Sequence, residues 1–273
     1  MTDLYLSEIY IYPIKSLGGI SVPTAAVEDR GLRYDRRWML VDEKGNFLTQ
    51  RQHARMALLQ VSLLEEGLSV SHKKGEMEPL FIPFGIKDAA APELQVTVWD
   101  DTLAAQEVGP EISAWFTEAL GMPARLVRML EQARRLVDTE YARNGEVVSF
   151  SDGYPFIIIG QASLDDLNSR LDQPVPINQF RPNFVFRGGA AFEEDTWSDF
   201  LIGEIPFQAV KPVARCVVTT INQETAGKSA EPLRTLATYR QVRHKIIFGQ
   251  NLLSGSAAGS VKVGDKLEVL SRK

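Results

Sequence analysis

VKVGDKLEVL, residues 261–270, places two short apolar alternations on either side of Gly264-Asp265, which is the pattern of two strands separated by a turn. The same unit recurs toward the amino terminus. Leu6 to Ile14 and Arg37 to Val41 read as strands, with DEKG at 42–45 a turn before Phe47 and Leu48. Ala57 to Leu64 and Leu68 to Ser71 repeat the pattern around the reversal Glu65-Glu66-Gly67, and Gln95 to Trp99 and Ala124 to Met129 add two more. Gly75 to Pro92 is rich in Pro, Gly and charge, so loops are expected there around a short LFIPF strand. So many short strands favour a closed or partly open barrel with helices attached.

Three helices are expected among them. Glu111 to Leu120 has Pro110 at its start, Gly121 at its stop, and Ile112, Trp115, Phe116 and Ala119 on one face. Ser163 and Asp166 have the spacing of a reciprocal cap, followed by the stripe Leu164, Leu167, Leu171. Glu231 to Arg243, with Pro232 near its start and Leu233 and Leu236 within it, is the third. The resulting class is mainly β with α+β elements, divided softly near 120–130 and drawn as two units, 1–122 and 123–273.

Composition sets outer bounds. The chain has 273 residues, 44% apolar and 24% charged, with a net charge of −5. That is ordinary globular composition with no blanket case for nucleic-acid binding, although local basic pockets remain open. MTDLYLSEIYIYPIKS lacks the basic-then-apolar order of a secretory signal, and PFIIIG at 155–160 is far below spanning length. The expectation is a soluble cytoplasmic protein with no membrane or nucleic-acid partner.

Cys216 is the only cysteine, in KPVARCVVTTIN at 211–222. One cysteine cannot form an internal disulfide or by itself ligate a structural zinc or an iron–sulfur cluster, so its chemistry is that of a single thiolate. An inert buried thiol is equally open at this level. Three polar clusters interrupt the strands. Lys15 and Ser16, beside Gly18-Gly19, offer an ammonium, a hydroxyl and flexible backbone to phosphate oxygens, without the glycine spacing of a P-loop. In GLRYDRRW at 31–38, Asp35 can orient one guanidinium, and strand alternation turns Arg36 and Arg37 to opposite sides. In NQFRPN at 178–183, Pro182 holds Arg181 and Asn183 at a defined separation. Each is also compatible with an ordinary turn or a loop brace. Residues 131–148 are charged without a period, and Arg134, Arg135 and Arg143 could close over an anion. His53, His72 and His244 form no ligand pattern, no Gly-x-Ser-x-Gly occurs, and Gly188-Gly189 lacks dinucleotide-fold spacing.

Taken in order, YPIKS, GLRYDRRWMLVD, SDGYPFIIIGQASLDDLNSRL, FRPNFVFRG, ARCVVTTIN and the terminal VKVGD resemble MOSC proteins that carry a MOSC N-terminal β-barrel domain, more narrowly the YcbX-type proteins and the mitochondrial amidoxime-reducing component family. The resemblance spans almost the whole chain. It implies a MOSC β-barrel domain behind an N-terminal β-barrel-like domain, and a molybdenum cofactor, a molybdopterin with its metal at the reactive end. Cys216 would be the metal's thiolate ligand, a soft donor beside the cofactor's dithiolene. Lys15, Arg36, Arg181 and Arg215 would orient phosphate and pterin, Asn183 would read a ring edge, and Ser16, Ser151 and Asp152 would complete the pocket, Asp152 also assisting proton movement. The implied activity is an oxidoreductase reducing N-hydroxylated compounds, with electrons from a separate ferredoxin-like, cytochrome or flavin protein, since no iron–sulfur cluster can be held on a single cysteine. The alternatives are a persulfide on Cys216 acting in sulfur transfer, or a cofactor carrier without turnover. Pyridoxal phosphate binding is less attractive, because Lys15 is not in a convincing Schiff-base setting.

Overall fold

A computed structural model of the chain describes residues 3–85, 92–142, 144–255 and 258–273. Part of the loop expected from Gly75 to Pro92, and Arg143, lie outside the described residues. In chain order the first elements are strands β1 (Tyr5–Ile11), β2 (Ile20–Val22), β3 (Thr24–Glu28), β4 (Gly31–Leu32) and β5 (Trp38–Val41). A 3₁₀ turn at Ala54–Leu58 leads to β6 (Leu59–Leu63), β7 (Gly67–His72), β8 (Leu80–Pro83), β9 (Glu93–Val98) and β10 (Asp101–Glu107). Helix α1 (Pro110–Leu120) and β11 (Arg125–Met129) follow. The remainder holds β12 (Phe156–Gly160), α2 (Gln161–Asn168), β13 (Phe184–Arg187), β14 (Asp199–Ile202), β15 (Ile205–Ala214), α3 (Leu233–Ala237), β16 (Gln241–Val242), β17 (Lys245–Ser254), β18 (Gly259–Lys262) and β19 (Leu267–Val269). The class is as expected, mainly β with a few helices.

The largest sheet runs β19-β14-β15-β17-β12-β13-β1-β2, with β16 paired to β17 alone. Its inner side is aromatic. Phe184 stacks on Phe156 with centroids 5.7 Å apart and meets Phe207 edge-on at 5.4 Å. A second core, built on Trp38, Leu40, Phe116 and Leu126, lies under α1 and the sheet β5-β11-β10-β9. Helix α1 stops where expected: Gly121 sits at φ 67° and donates to the Thr117 and Glu118 carbonyls, a left-handed turn that glycine adopts at little cost.

The division expected after residue 122 cuts through a sheet. β11 pairs with β5 and β10. Conversely β1 pairs with β13, and β3 with β18, so the two ends of the chain are stitched together by backbone hydrogen bonds. The 261–270 stretch forms the two expected strands, but they join different neighbours, β18 with β3 and β19 with β14.

Two helix expectations are corrected. α2 begins at Gln161, before Ser163, whose hydroxyl donates to the buried Glu194 carboxylate (2.9 Å) instead of capping the turn. The same carboxylate accepts the Gly160 N–H at 3.1 Å, so a distant acid supplies the cap. The helix expected over 231–243 shrinks to α3, because Gln241 and Val242 pair with Ile246 and Lys245 as a hairpin and the Arg240 guanidinium turns to Asp195 and the Ile247 carbonyl. The strand expected from Ala57 starts at Leu59, its first residues being taken into the 3₁₀ turn.

Phe184→Ala is expected to destabilise the protein by about 3–5 kcal/mol, read as a lowered urea midpoint, because Phe184 has no exposed surface and a cavity would open between its two ring neighbours.

Candidate functional site

β15 enters the site through two register shifts against β17, between Ala209 and Lys211 and between Pro212 and Ala214. Such bulges bend a strand and re-aim its end, and they also accommodate a proline. The chain then leaves the sheet at Arg215 and Cys216 and winds into a 3₁₀ turn at Val217–Thr220. Cys216 is thus presented at a strand end, partly exposed, rather than sealed in a dry core.

It lies in the wall of a cavity of about 350 Å³, together with Lys15, Ser16, Arg36, Ser151, Asp152, Arg181, Asn183 and Arg215. The nine residues assigned to the site by the family resemblance therefore line one space. Every charged side chain on that wall is cationic except Asp152.

Four of the cations on this wall, Lys15, Arg36, Arg181 and Arg215, are anchored to backbone carbonyls, which fixes them. Lys15 Nζ donates to Phe150 O at 2.7 Å and to Asp152 Oδ1 at 2.6 Å. Burial pushes its pKa down to about 8, aided by Arg135 and Arg36 and opposed by Asp152. Arg36 donates to Asp35 Oδ2 at 2.7 Å, to Asn183 Oδ1 at 3.4 Å and to Arg181 O at 3.2 Å. Arg181 Nη1 donates to Leu17 O at 2.8 Å, and the Arg36 and Arg181 guanidiniums lie 4.2 and 4.3 Å from the Tyr12 ring centre. Arg215 donates to Phe248 O at 2.7 Å and Phe180 O at 2.8 Å, while its Nη2 is buried with no partner among the described residues. Burial draws the pKa of both Arg181 and Arg215 down to about 10.

Asn183 is committed on both sides of its amide: Oδ1 also accepts Ile157 N–H at 3.2 Å and Nδ2 donates to Tyr10 O at 3.2 Å. It therefore braces the wall. Ser151 has its hydroxyl 3.2 Å from that of Ser149. Arg135, expected to be part of a closing loop, is instead buried beneath this segment and donates to Ser149 O, Ser151 O and Asp152 O. Arg134 donates to Gly145 O at 3.3 Å. Arg37 pairs with Glu131 at 2.9 Å, away from the Arg36 contacts; strand alternation is not the cause, because Arg36 lies in a turn at φ 49° and β5 begins only at Trp38.

Arg51 is the residue the sequence reading missed. Its Nε lies 3.3 Å from Cys216 Sγ and its Nη2 donates to Asp152 Oδ2 at 2.8 Å. The guanidinium lies 4.5 Å from the Trp99 ring centre, and Trp99 Nε1 donates to Asp152 Oδ1 at 3.3 Å. Nothing local in Arg51-Gln52-His53 signals this. Its place is set by Gln50 and Gln223, a buried amide pair exchanging hydrogen bonds of 3.1 and 3.0 Å across the two halves of the chain. Gln50 also donates to Ser16 O at 2.8 Å. Asp152 gathers these contacts on a side chain still 58% exposed. Partial burial opposes its ionisation, yet Lys15 and Arg51 hold the carboxyl far below the usual carboxylate range.

Residues 3–123 match the MOSC N-terminal beta barrel domain and residues 145–268 the MOSC domain. The two domains thus occur together in this chain. Mitochondrial amidoxime-reducing component 1 of Mus musculus is 32% identical over 98% of this chain and 82% of its own length. Mitochondrial amidoxime reducing component 2 of Rattus norvegicus is 36% identical over 95% and 81% respectively. The molybdenum cofactor sulfurase of Oryza sativa subsp. japonica is 31% identical over 91% of this chain but only 32% of its own length. The chain belongs to the MOSC family that includes the amidoxime-reducing components and the YcbX-like proteins. The cytoplasmic expectation does not stand, since these relatives are named as mitochondrial components; composition and a plain amino terminus carry no compartment. No helix among the described residues is long and apolar enough to cross a membrane.

Between pH about 8 and the ordinary lysine value, folded Lys15 binds fewer protons than unfolded Lys15. Its contribution to stability therefore rises with pH across that window and is lost as pH falls through about 8. Lys15→Met is expected to flatten that rise, measured as the difference in urea midpoint between variant and parent protein from pH 7.5 to 10.

Proposed function

We infer that this protein is a reductase of N-hydroxylated compounds that holds a molybdenum cofactor in the cavity at Cys216 and takes electrons from a separate protein. The observation that carries the reading is the meeting of a partly exposed thiol with a wall of anchored cations. The donor set fits the group. A lone thiolate suits a soft metal, and the anchored guanidiniums of Arg36, Arg181 and Arg215 on the same wall suit an anionic group beside it. The relatives named as amidoxime-reducing components supply the substrate class.

When bound, the cofactor supplies a two-electron metal centre suited to breaking an N–O bond. The net change cleaves N–O, forms N–H, and releases the oxygen as water, consuming two electrons and two protons. Cys216 would hold the metal. Arg36, Arg181 and Arg215 would neutralise the anionic end of the cofactor, each already locked by a backbone carbonyl, so little ordering remains to be done on binding. Lys15 holds a proton at Asp152 Oδ1 near neutral pH, while Asp152, kept ionised, serves to aim Arg51 at the thiol. Ser16 and Ser151 would complete the polar wall.

The test is purification from a host that makes the cofactor, with molybdenum and released pterin counted per chain beside a Cys216→Ala control, followed by amidoxime reduction with chemically reduced methyl viologen. Near-stoichiometric pterin, molybdenum that is lost with the thiol, and turnover are expected. A folded protein free of both from a host of proven cofactor supply would overturn the reading. A transferable sulfane sulfur on Cys216 would then favour sulfur transfer, the reading toward which the sulfurase likeness leans.

Arg51→Gln is expected to keep pterin and fold but lower kcat/KM by about 10–100-fold, the usual cost of removing a group that orients a metal ligand. The check is steady-state kinetics alongside pterin content.

A further inference from the structure

The hairpin between β16 and β17 stands beside the thiol. Ala214 pairs with Ile247, and Arg215 N–H donates to Ile246 O at 2.8 Å, so the start of β17 runs alongside the approach to Cys216. Its first residue, Lys245, lines the cavity. Residues 241–245, Gln-Val-Arg-His-Lys, are all exposed. Arg243 sits at φ 55°, a left-handed conformation a non-glycine residue adopts only where the turn enforces it. The Gln241 side chain holds that turn by donating to Arg243 O at 3.0 Å.

Neither Arg243, His244 nor Lys245 has a carboxylate within ion-pair distance among the described residues, and Lys245 carries that uncompensated charge to the cavity wall. In a chain of net charge −5 this is an unbalanced positive patch at the mouth of the cavity. Two exposed valines flank these elements, Val242 on the hairpin itself and Val217 next after the thiol in sequence, 53% and 52% accessible. A small apolar centre with a charged rim is the make-up of a transient protein interface, and unpaired rim charges act on encounter more than on residence.

We propose that Val217 and the 241–245 hairpin form the docking surface for an acidic electron-carrier protein, which delivers electrons at the cavity mouth. The inference rests on the reductase reading and names the charge of the partner that reading requires. An acidic carrier is attracted to Arg243 and Lys245 at the cavity mouth, while the chain's net charge of −5 offers it no general attraction elsewhere. A basic carrier would be steered away from it.

The loaded protein is tested with three acidic carriers, a [2Fe–2S] ferredoxin, a b-type cytochrome domain and a flavodoxin, and with reduced methyl viologen as the small donor. The variant is Arg243→Glu with His244→Glu, which leaves the cavity wall untouched. At least one carrier is expected to support amidoxime reduction, with a KM that rises with salt. In the variant that KM is expected to rise on the order of tenfold, with the salt dependence lost or inverted and the methyl viologen rate unchanged. An unchanged carrier KM overturns the docking surface, as does failure of all three carriers while methyl viologen works. Failure with methyl viologen in the parent protein is a different result: it removes the reductase reading, and the docking inference falls with it.

Discussion

The site depends on one buried ion pair. Asp35 has no exposed side-chain surface and sits 2.7 Å from Arg36 Nη1. The other carboxylate oxygen accepts Tyr12 N–H at 2.8 Å, so a single acid ties the end of β1 to the arginine. Arg36 carries the tie onward to Asn183 and to the Arg181 carbonyl. The amino-terminal strand and the 181–183 segment are thereby held in one geometry by a fully buried carboxylate and a guanidinium that is nine-tenths buried. Burying such a pair gains little net stability against an apolar substitute, but removing one partner leaves a bare charge and costs about 3–5 kcal/mol. The pair is better understood as fixing register between two distant pieces of chain than as a source of stability.

Backbone strain gathers in the same place. Ser16, Arg36 and Arg181 have φ of 67°, 49° and 53°. A positive φ at a non-glycine residue persists where surrounding contacts over-determine it, and such residues concentrate at binding sites. Here the enforcing contacts are visible: Ser16 O accepts from Gln50, Arg36 N–H donates to Tyr12 O, and Arg181 N–H reaches Asn178 O. Each turns a polar side chain or carbonyl toward the cavity from a short loop that would otherwise continue outward.

How far sequence alone reaches follows from the range of the interaction concerned. Strand runs and α1 depend on period and on neighbours within a few residues, and they were legible, as was the Gly121 stop. α2 was placed but started late, because its cap is Glu194, which no short window around Ser163 contains. The helix expected over 231–243 is cut short because strand pairing of Val242 with Lys245 outweighs a weak apolar stripe. At the site, the motifs that carry the family resemblance named the wall. Arg51 stayed hidden because its meaning lies in Cys216, 165 residues away, and in the Gln50–Gln223 pair that aims it. A long-range contact made by a common residue type leaves no local mark.

The cations fall into two kinds, and the difference is physical. Inside the cavity, Lys15, Arg181 and Arg215 each spend donors on main-chain carbonyls. Their side-chain entropy is already lost in the folded protein, so an anion meeting them need not order them, and desolvation strengthens what they do toward it. At the mouth, Arg243 and Lys245 are exposed and unpaired among the described residues. They remain mobile and screened by salt, which makes them poor at holding a small ligand and well suited to a long-range, reversible encounter. A rigid inner wall and a soft outer rim of the same sign are therefore suited to different work, the wall to holding a small anion closely and the rim to a reversible encounter with a charged partner. Reversing the two would give a cavity that pays ordering entropy for every ligand and a rim that releases its partner slowly.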